Sequence, residues 1–136
     1  MRIAVLADIH GNVLALDAVL ADLERRGGAD LTVNLGDCVS GPLWPRETFE
    51  RLESLDLPTV RGNHDRRVAV DPADDTMWAS DRYAQERLTS AQREASDGFG
   101  ALLVIARTFS DLQQSKAGDC RARKAQARVV GRTTDS

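Results

Sequence analysis

An α/β fold opening as a parallel βαβαβ unit is what this 136-residue sequence predicts, and two observations carry the reading. Short runs of strand character recur at residues 3–7, 31–35 and 59–61, the first two apolar, each closed by a polar cluster. Between them lie stretches whose apolar residues recur at helical spacing. Strands alternating with helices imply parallel pairing through right-handed crossovers.

Ile3 to Ala7 is continuously apolar until Asp8, the pattern of a strand buried on both faces. Asn12 is a good helix N-cap, because its short side chain accepts from a backbone N–H of the first turn. Leu16, Val19, Leu20 and Leu23 then form an apolar stripe, and Gly27-Gly28 ends the helix. Leu31 to Leu35 gives the second strand, closed by Gly36-Asp37. Pro45 suits a first helical turn, and Phe49, Leu52 and Leu55 supply the next stripe. Thr59-Val60-Arg61 gives a short third strand before Gly62-Asn63-His64-Asp65.

Past residue 65 the pattern weakens. Arg66 to Ser80 reads as a long loop with a brief apolar patch, and Asp81 to Leu88 as a short helix. Thr89 with Gln92 forms a capping box opening another helix. Phe99 to Phe109 suits a strand or a buried helix, and periodicity leaves both open. The division is 1–95 for the organised part, 96–110 for the apolar segment and 111–136 for a basic tail.

Charge sharpens that division. Residues 1–110 carry twelve arginines, no lysine and eighteen acidic residues. Residues 111–136 carry six basic and three acidic residues, both lysines, and no proline or aromatic residue. Short, interrupted and aperiodic, the tail reads as solvated and disordered rather than as a nucleic-acid arm. The net charge of −3 argues against a general binder of nucleic acid or anionic membrane. No apolar run approaches the roughly 20 residues of a membrane span. The five apolar residues of the start fall short of the roughly 7–15 of a secretory signal. Cys38 and Cys120 fit no metal or redox spacing, and a cytoplasmic location is the expectation.

Three polar clusters sit at equivalent places: Asp8-Ile9-His10-Gly11-Asn12, Gly36-Asp37 and Gly62-Asn63-His64-Asp65, each after a strand. The carboxyl ends of parallel strands line one edge, where ligands bind, so the clusters should converge. Asp, His and Asn offer oxygen and imidazole donors suited to divalent metals. Singly, each has a plainer reading as a cap, a packed ring or a turn. Their arrival at one edge favours a metal site.

These residues resemble the first three motifs of the calcineurin-like metallophosphoesterases, above all the small bacterial and archaeal phosphodiesterase-like branch, whose second block is matched by Gly36 to Pro42. The resemblance covers about residues 1–95. It implies a four-layer α-β-β-α sandwich and a two-metal hydrolase of phosphate monoesters or diesters. Asp8 and His10 would hold the first metal, Asp37 would bridge both, and Asn63 would serve the second. Two cations about 3.5–4 Å apart polarise the phosphoryl group and lower the pKa of a bridging water. His64 would protonate the leaving group, a role worth roughly 10²–10⁴ in rate. Arg61 reads equally as a phosphate contact or a structural hydrogen bonder, and Asp65 as structural. Mn²⁺, Fe, Zn²⁺ and Ni²⁺ all suit the donors, and a small phosphate ester or nucleotide is the expected partner.

The sequence also departs from the family. In the protein phosphatase branch an aspartate three positions after the bridging one orients the acidic histidine; here that position is Ser40. Full-length members add a later histidine and a Gly-His-x-His motif, yet this chain has two histidines in all, His10 and His64. With those ligands absent the expectation falls to one well-held metal, impaired activity, and a truncated or divergent second half. One hypothesis, motivated by the change in composition, is a shifted or truncated reading frame near residue 95. The encoding DNA tests it: an alternative frame there must encode Gly-His-x-His. A non-catalytic remnant with weak metal or phosphate binding is the competing reading. A doubly wound nucleotide-binding domain is disfavoured, since no glycine-rich phosphate loop is present.

Overall fold

The computed structural model describes residues 1–70 and 76–97. Its elements are β1 (Ile3–Leu6), α1 (Val13–Arg25), β2 (Leu31–Asn34), α2 (Pro45–Leu55), α3 (Asn63–Ala69), α4 (Ala79–Arg87) and α5 (Ser90–Asp97). β1 and β2 pair in parallel, with Ile3 opposite Leu31 and Leu6 opposite Asn34. The mixed α/β class and the parallel start are as the sequence predicts.

The helix boundaries follow from local chemistry. Asn12 Oδ1 accepts the Ala15 N–H at 3.0 Å and starts α1. At its other end Gly27 N–H donates to Glu24 O and Gly28 N–H to Leu23 O. Both glycines have positive φ, the Schellman arrangement that terminates a helix. Pro45 opens α2, and the αL residue Asp56 closes it. Thr89 and Gln92 exchange side-chain and backbone bonds at 3.0 and 3.2 Å ahead of α5, the predicted capping box.

Three expectations are corrected. β1 is not buried on both faces: Ile3 and Val5 are 44% and 58% exposed, while Leu6 points inward. β1 is the edge of the described sheet, and among the described residues one face alone is covered. The third strand is shorter than expected, with Thr59 and Val60 bridged and Arg61 outside. Among the described residues Thr59 pairs in parallel with Asn34, held by bonds from Asn34 N–H to Pro58 O and from Val60 N–H to Asn34 O. Few residues separate Pro58, which has no N–H to donate, from Gly62, where the next helix is capped. Arg66–Ser80 is not all loop, because α3 continues to Ala69. Its start is marked by Asp65 Oδ2, which accepts the Gly62 N–H at 3.0 Å. α4 also begins two residues earlier than the expected Asp81. The segment from residue 98 and the tail 111–136 lie outside the described residues.

The core joins Leu6, Leu16, Phe49, Leu52, Val68, Ala84 and Leu88 with Cys38 and Val39 from the loop after β2. Fully burying a Leu or Phe side chain contributes about 1.5–3 kcal/mol. Cys38 and Val39 are wholly buried, so the loop that carries Asp37 is anchored directly in that core.

Candidate metal centre

The parallel pairing of β1 and β2 does not stop where the strands end. Asp8 N–H donates to Gly36 O at 3.1 Å, His10 N–H to Asp37 O at 3.0 Å, and Gly11 N–H to Cys38 O at 2.9 Å. The first two polar clusters are thereby zipped together. The third is fastened by Asp65, fully buried, which accepts N–H bonds from Gly62 (3.0 Å), Asp37 (2.9 Å) and Cys38 (2.8 Å). Burial pushes the Asp65 carboxyl up from its ordinary range, while the bonds from Gly62, Cys38 and Asp37 pull the other way. Asp65 is structural, as its position suggested.

Two glycines let these loops touch. A Cβ on Gly36 would meet the backbone of Val60 and Gly62, and one on Gly62 would meet the Asp37 carboxylate and backbone nitrogen. The third loop then reaches Asp37 itself: His64 N–H donates to Asp37 Oδ1 at 2.9 Å.

Asp8, His10 and Asp37 each place a donor atom within 4.8 Å of the others. All three lie at positive φ, 54°, 49° and 54°. Such φ values are uncommon outside glycine, and strained residues of this kind gather at functional sites. His10 Nδ1–H donates to the Ser40 carbonyl at 3.0 Å, which assigns the proton to Nδ1 and leaves an Nε2 lone pair. That Nε2 lies 3.7 Å from Asp8 Oδ1. Among the described residues no Lys or Arg pairs with Asp8 or Asp37. Two carboxylates and an imidazole lone pair facing each other without a counter-charge suit a divalent cation.

Asn63, the sequence's candidate for a second cation, is exposed at the first residue of α3. Together with Asp37 it is a sparse set, so the donors fit a first cation well and a second one thinly. Arg61 is engaged elsewhere: its Nη1 donates to Asp97 O at 3.0 Å and Asp97 Oδ1 at 2.6 Å. Cys38 takes no part, since burial pushes its thiol well up and Asn34 Nδ2 donates to its sulfur at 3.1 Å.

His64 brings in the residue that the sequence reading missed. Its Nδ1 lies 2.8 Å from Oδ1 of Asp81, which is wholly buried in the first turn of α4. Ser40 Oγ donates to the same oxygen at 2.5 Å and stands 3.4 Å from His64 Nδ1. Trp78 closes the outer side, its ring 5.5 Å from the imidazole, and Arg67 lies over that ring at 5.3 Å. The His10 and His64 rings are 5.3 Å apart. No spacing rule links His64 to a residue seventeen positions later; the one signal was Ser40, where a carboxylate was expected.

The chain matches the calcineurin-like phosphoesterase family over residues 1–120. It is 44% identical over 66 residues to an uncharacterised protein of Methanocaldococcus jannaschii, covering 48% of this chain and 27% of that protein. Its fold is similar to the crystal structure of a metallophosphoesterase from Sphaerobacter thermophilus. That match has a TM-score of 0.60 and 29% identity, over 74% of this chain and 41% of the other. The chain thus spans under half the length of both relatives. No helix among the described residues is long and apolar enough to cross a membrane. A match through most of its length, reinforced by the shared fold, places this chain in the calcineurin-like phosphoesterase family.

Proposed function

We propose that this chain belongs to a metal-dependent hydrolase of phosphate monoesters or diesters, with a small phosphate ester or nucleotide as substrate. The observation that carries this is the convergence of Asp8, His10 and Asp37 within 4.8 Å, unpaired with any cationic side chain among the described residues. Asp8, His10 and Asp37 hold the first divalent cation, and Asp37 with Asn63 holds a second more weakly. When bound, divalent metal supplies charge stabilisation of the phosphoryl oxygens and an activated water. Mn²⁺, Fe, Zn²⁺ and Ni²⁺ remain the metals to try, in a cytoplasmic setting.

The chain's own residues do the rest. Asp65 and the Gly36–Gly62 contact hold the three loops in register, so the donors are preset. His64 gives a proton to the leaving-group oxygen as its bond to phosphorus breaks. Arg61 contacts phosphate only if it leaves Asp97.

Calorimetric titration with Mn²⁺, followed by hydrolysis of p-nitrophenyl phosphate and bis(p-nitrophenyl) phosphate, tests the reading. Binding and turnover that both vanish in Asp37→Asn support it. Binding without turnover supports the second reading, a non-catalytic metal or phosphate binder, which the sparse Asp37–Asn63 pair favours. No binding sinks both.

A further inference from the structure

We infer that Asp81 is the positioning residue of His64, carried in from α4 to supply the carboxylate that Ser40 does not. The inference rests on the phosphoesterase reading for its chemistry and on geometry for its assignment. Asp81 is wholly buried in the first turn of a nine-residue helix, yet one of its oxygens is turned to an imidazole 2.8 Å away. Burying a carboxylate is costly, and partners must offset that cost. Oδ1 has two, the His64 Nδ1–H and the Ser40 hydroxyl. Among the described residues Oδ2 has no hydrogen-bond partner, and Arg67 Nη1 lies 3.9 Å from it. A carboxylate kept for packing or for capping α4 would spend its oxygens on backbone N–H groups; this one spends Oδ1 on a ring.

The arrangement has a chemical consequence. A carboxylate on Nδ1 fixes the proton there, so Nε2 is the nitrogen left to face a substrate. Among the described residues Nε2 has no hydrogen-bond partner. During reaction a water oxygen forms its bond to phosphorus and gives up a proton to solvent, while the P–O bond to the leaving group breaks. The leaving oxygen keeps that electron pair and takes the Nε2 proton of a ring that starts with a proton on both nitrogens. The ring keeps its Nδ1–H on Asp81 through the step. Ser40 keeps Asp81 Oδ1 in place by donating to it from the position where a carboxylate was expected. A Ser40–Asp81 pair does from two elements what one aspartate would do from the β2 loop.

With only two histidines, the imidazole spectrum of the chain is simple enough to decide this. Long-range ¹H–¹⁵N spectra of the labelled, metal-free protein at about pH 8 report the tautomer of each ring. Assignment comes from His10→Asn. His64 is expected as the Nδ1–H form, with a hydrogen-bonded N–H proton shifted downfield. Asp81→Asn should abolish that shifted signal and mix the tautomers, leaving His10 unchanged. Ser40→Ala, which removes only the brace, should move the same signal partway and serves if Asp81→Asn does not fold. An unchanged His64 tautomer in either folded variant overturns the inference.

Kinetics of the Mn²⁺-loaded chain add the role. Asp81→Asn should slow phenyl phosphate, whose leaving group needs a proton, about 10–100-fold, and p-nitrophenyl phosphate by less than about threefold. Equal losses on both esters would overturn the leaving-group role. A wild-type chain that hydrolyses neither would overturn the phosphoesterase reading instead, while the spectra still decide whether Asp81 holds the ring.

Discussion

The loop end of the sheet and the outer face of β1 lie within a few residues of each other and are built by opposite rules. At the loop end the backbone amides are matched: Asp8, His10 and Gly11 donate to the facing loop, and Asp65 alone takes three amides. On the outer face Ile3 and Val5 stand 44% and 58% exposed with nothing among the described residues against them. The lesson is that the centre is assembled from local contacts of three loops and from the core under Cys38 and Val39. What covers β1 is a separate matter from what holds the donors.

Four substitutions probe that separation. The largest effect is expected from Asp37→Asn, which removes a carboxylate that would serve both proposed cations and that accepts from His64 N–H. Calorimetry should read a fall in Mn²⁺ affinity of about 100-fold or more. Gly62→Ala comes next, since its Cβ would press on Asp37. It should cost up to about 3 kcal/mol in urea unfolding and weaken Mn²⁺ about tenfold. Asp65→Asn exchanges one carboxylate oxygen for NH2, so either the Cys38 amide or those of Asp37 and Gly62 lose their acceptor; it should cost about 2 kcal/mol, with a smaller loss of affinity. Val5→Lys should do least, within about 0.5 kcal/mol and with Mn²⁺ binding unchanged. If Val5→Lys unfolded the chain, or abolished metal binding, the two regions would be coupled and the separation would fail.

Much of this was legible in the sequence, and the residues explain which parts. α1 and α2 were readable because Asn12, Gly27-Gly28 and Pro45 act on their own neighbours, so no distant contact can overrule them. The convergence of Asp8, His10 and Asp37 followed from parallel pairing. The third strand ends sooner than the sequence suggests, with Thr59 and Val60 bridged and Arg61 outside, because its pairing depends on another element, Asn34 of β2 among the described residues. Likewise the sequence does not announce α3: Gly62-Asn63-His64-Asp65 reads as a polar turn after a strand, when Gly62 and Asp65 also cap a helix. Asp81 stayed invisible because its value lies in a tertiary contact with His64 and Ser40 that no periodicity encodes.

The seam of bonds between the loops has a consequence for motion. The amides of Asp8, His10, Gly11, Asp37, Cys38, Gly62 and His64 all have acceptors, though none lies in a strand. Loops ordinarily surrender their amide protons to solvent well before strands do. Here the ranking should invert, with these amides exchanging on the clock of global unfolding and the two-residue shoulder at Ile3 and Val5 wearing away first. An arriving cation would then meet a cage already at rest, and little of its binding energy would go into quieting the chain.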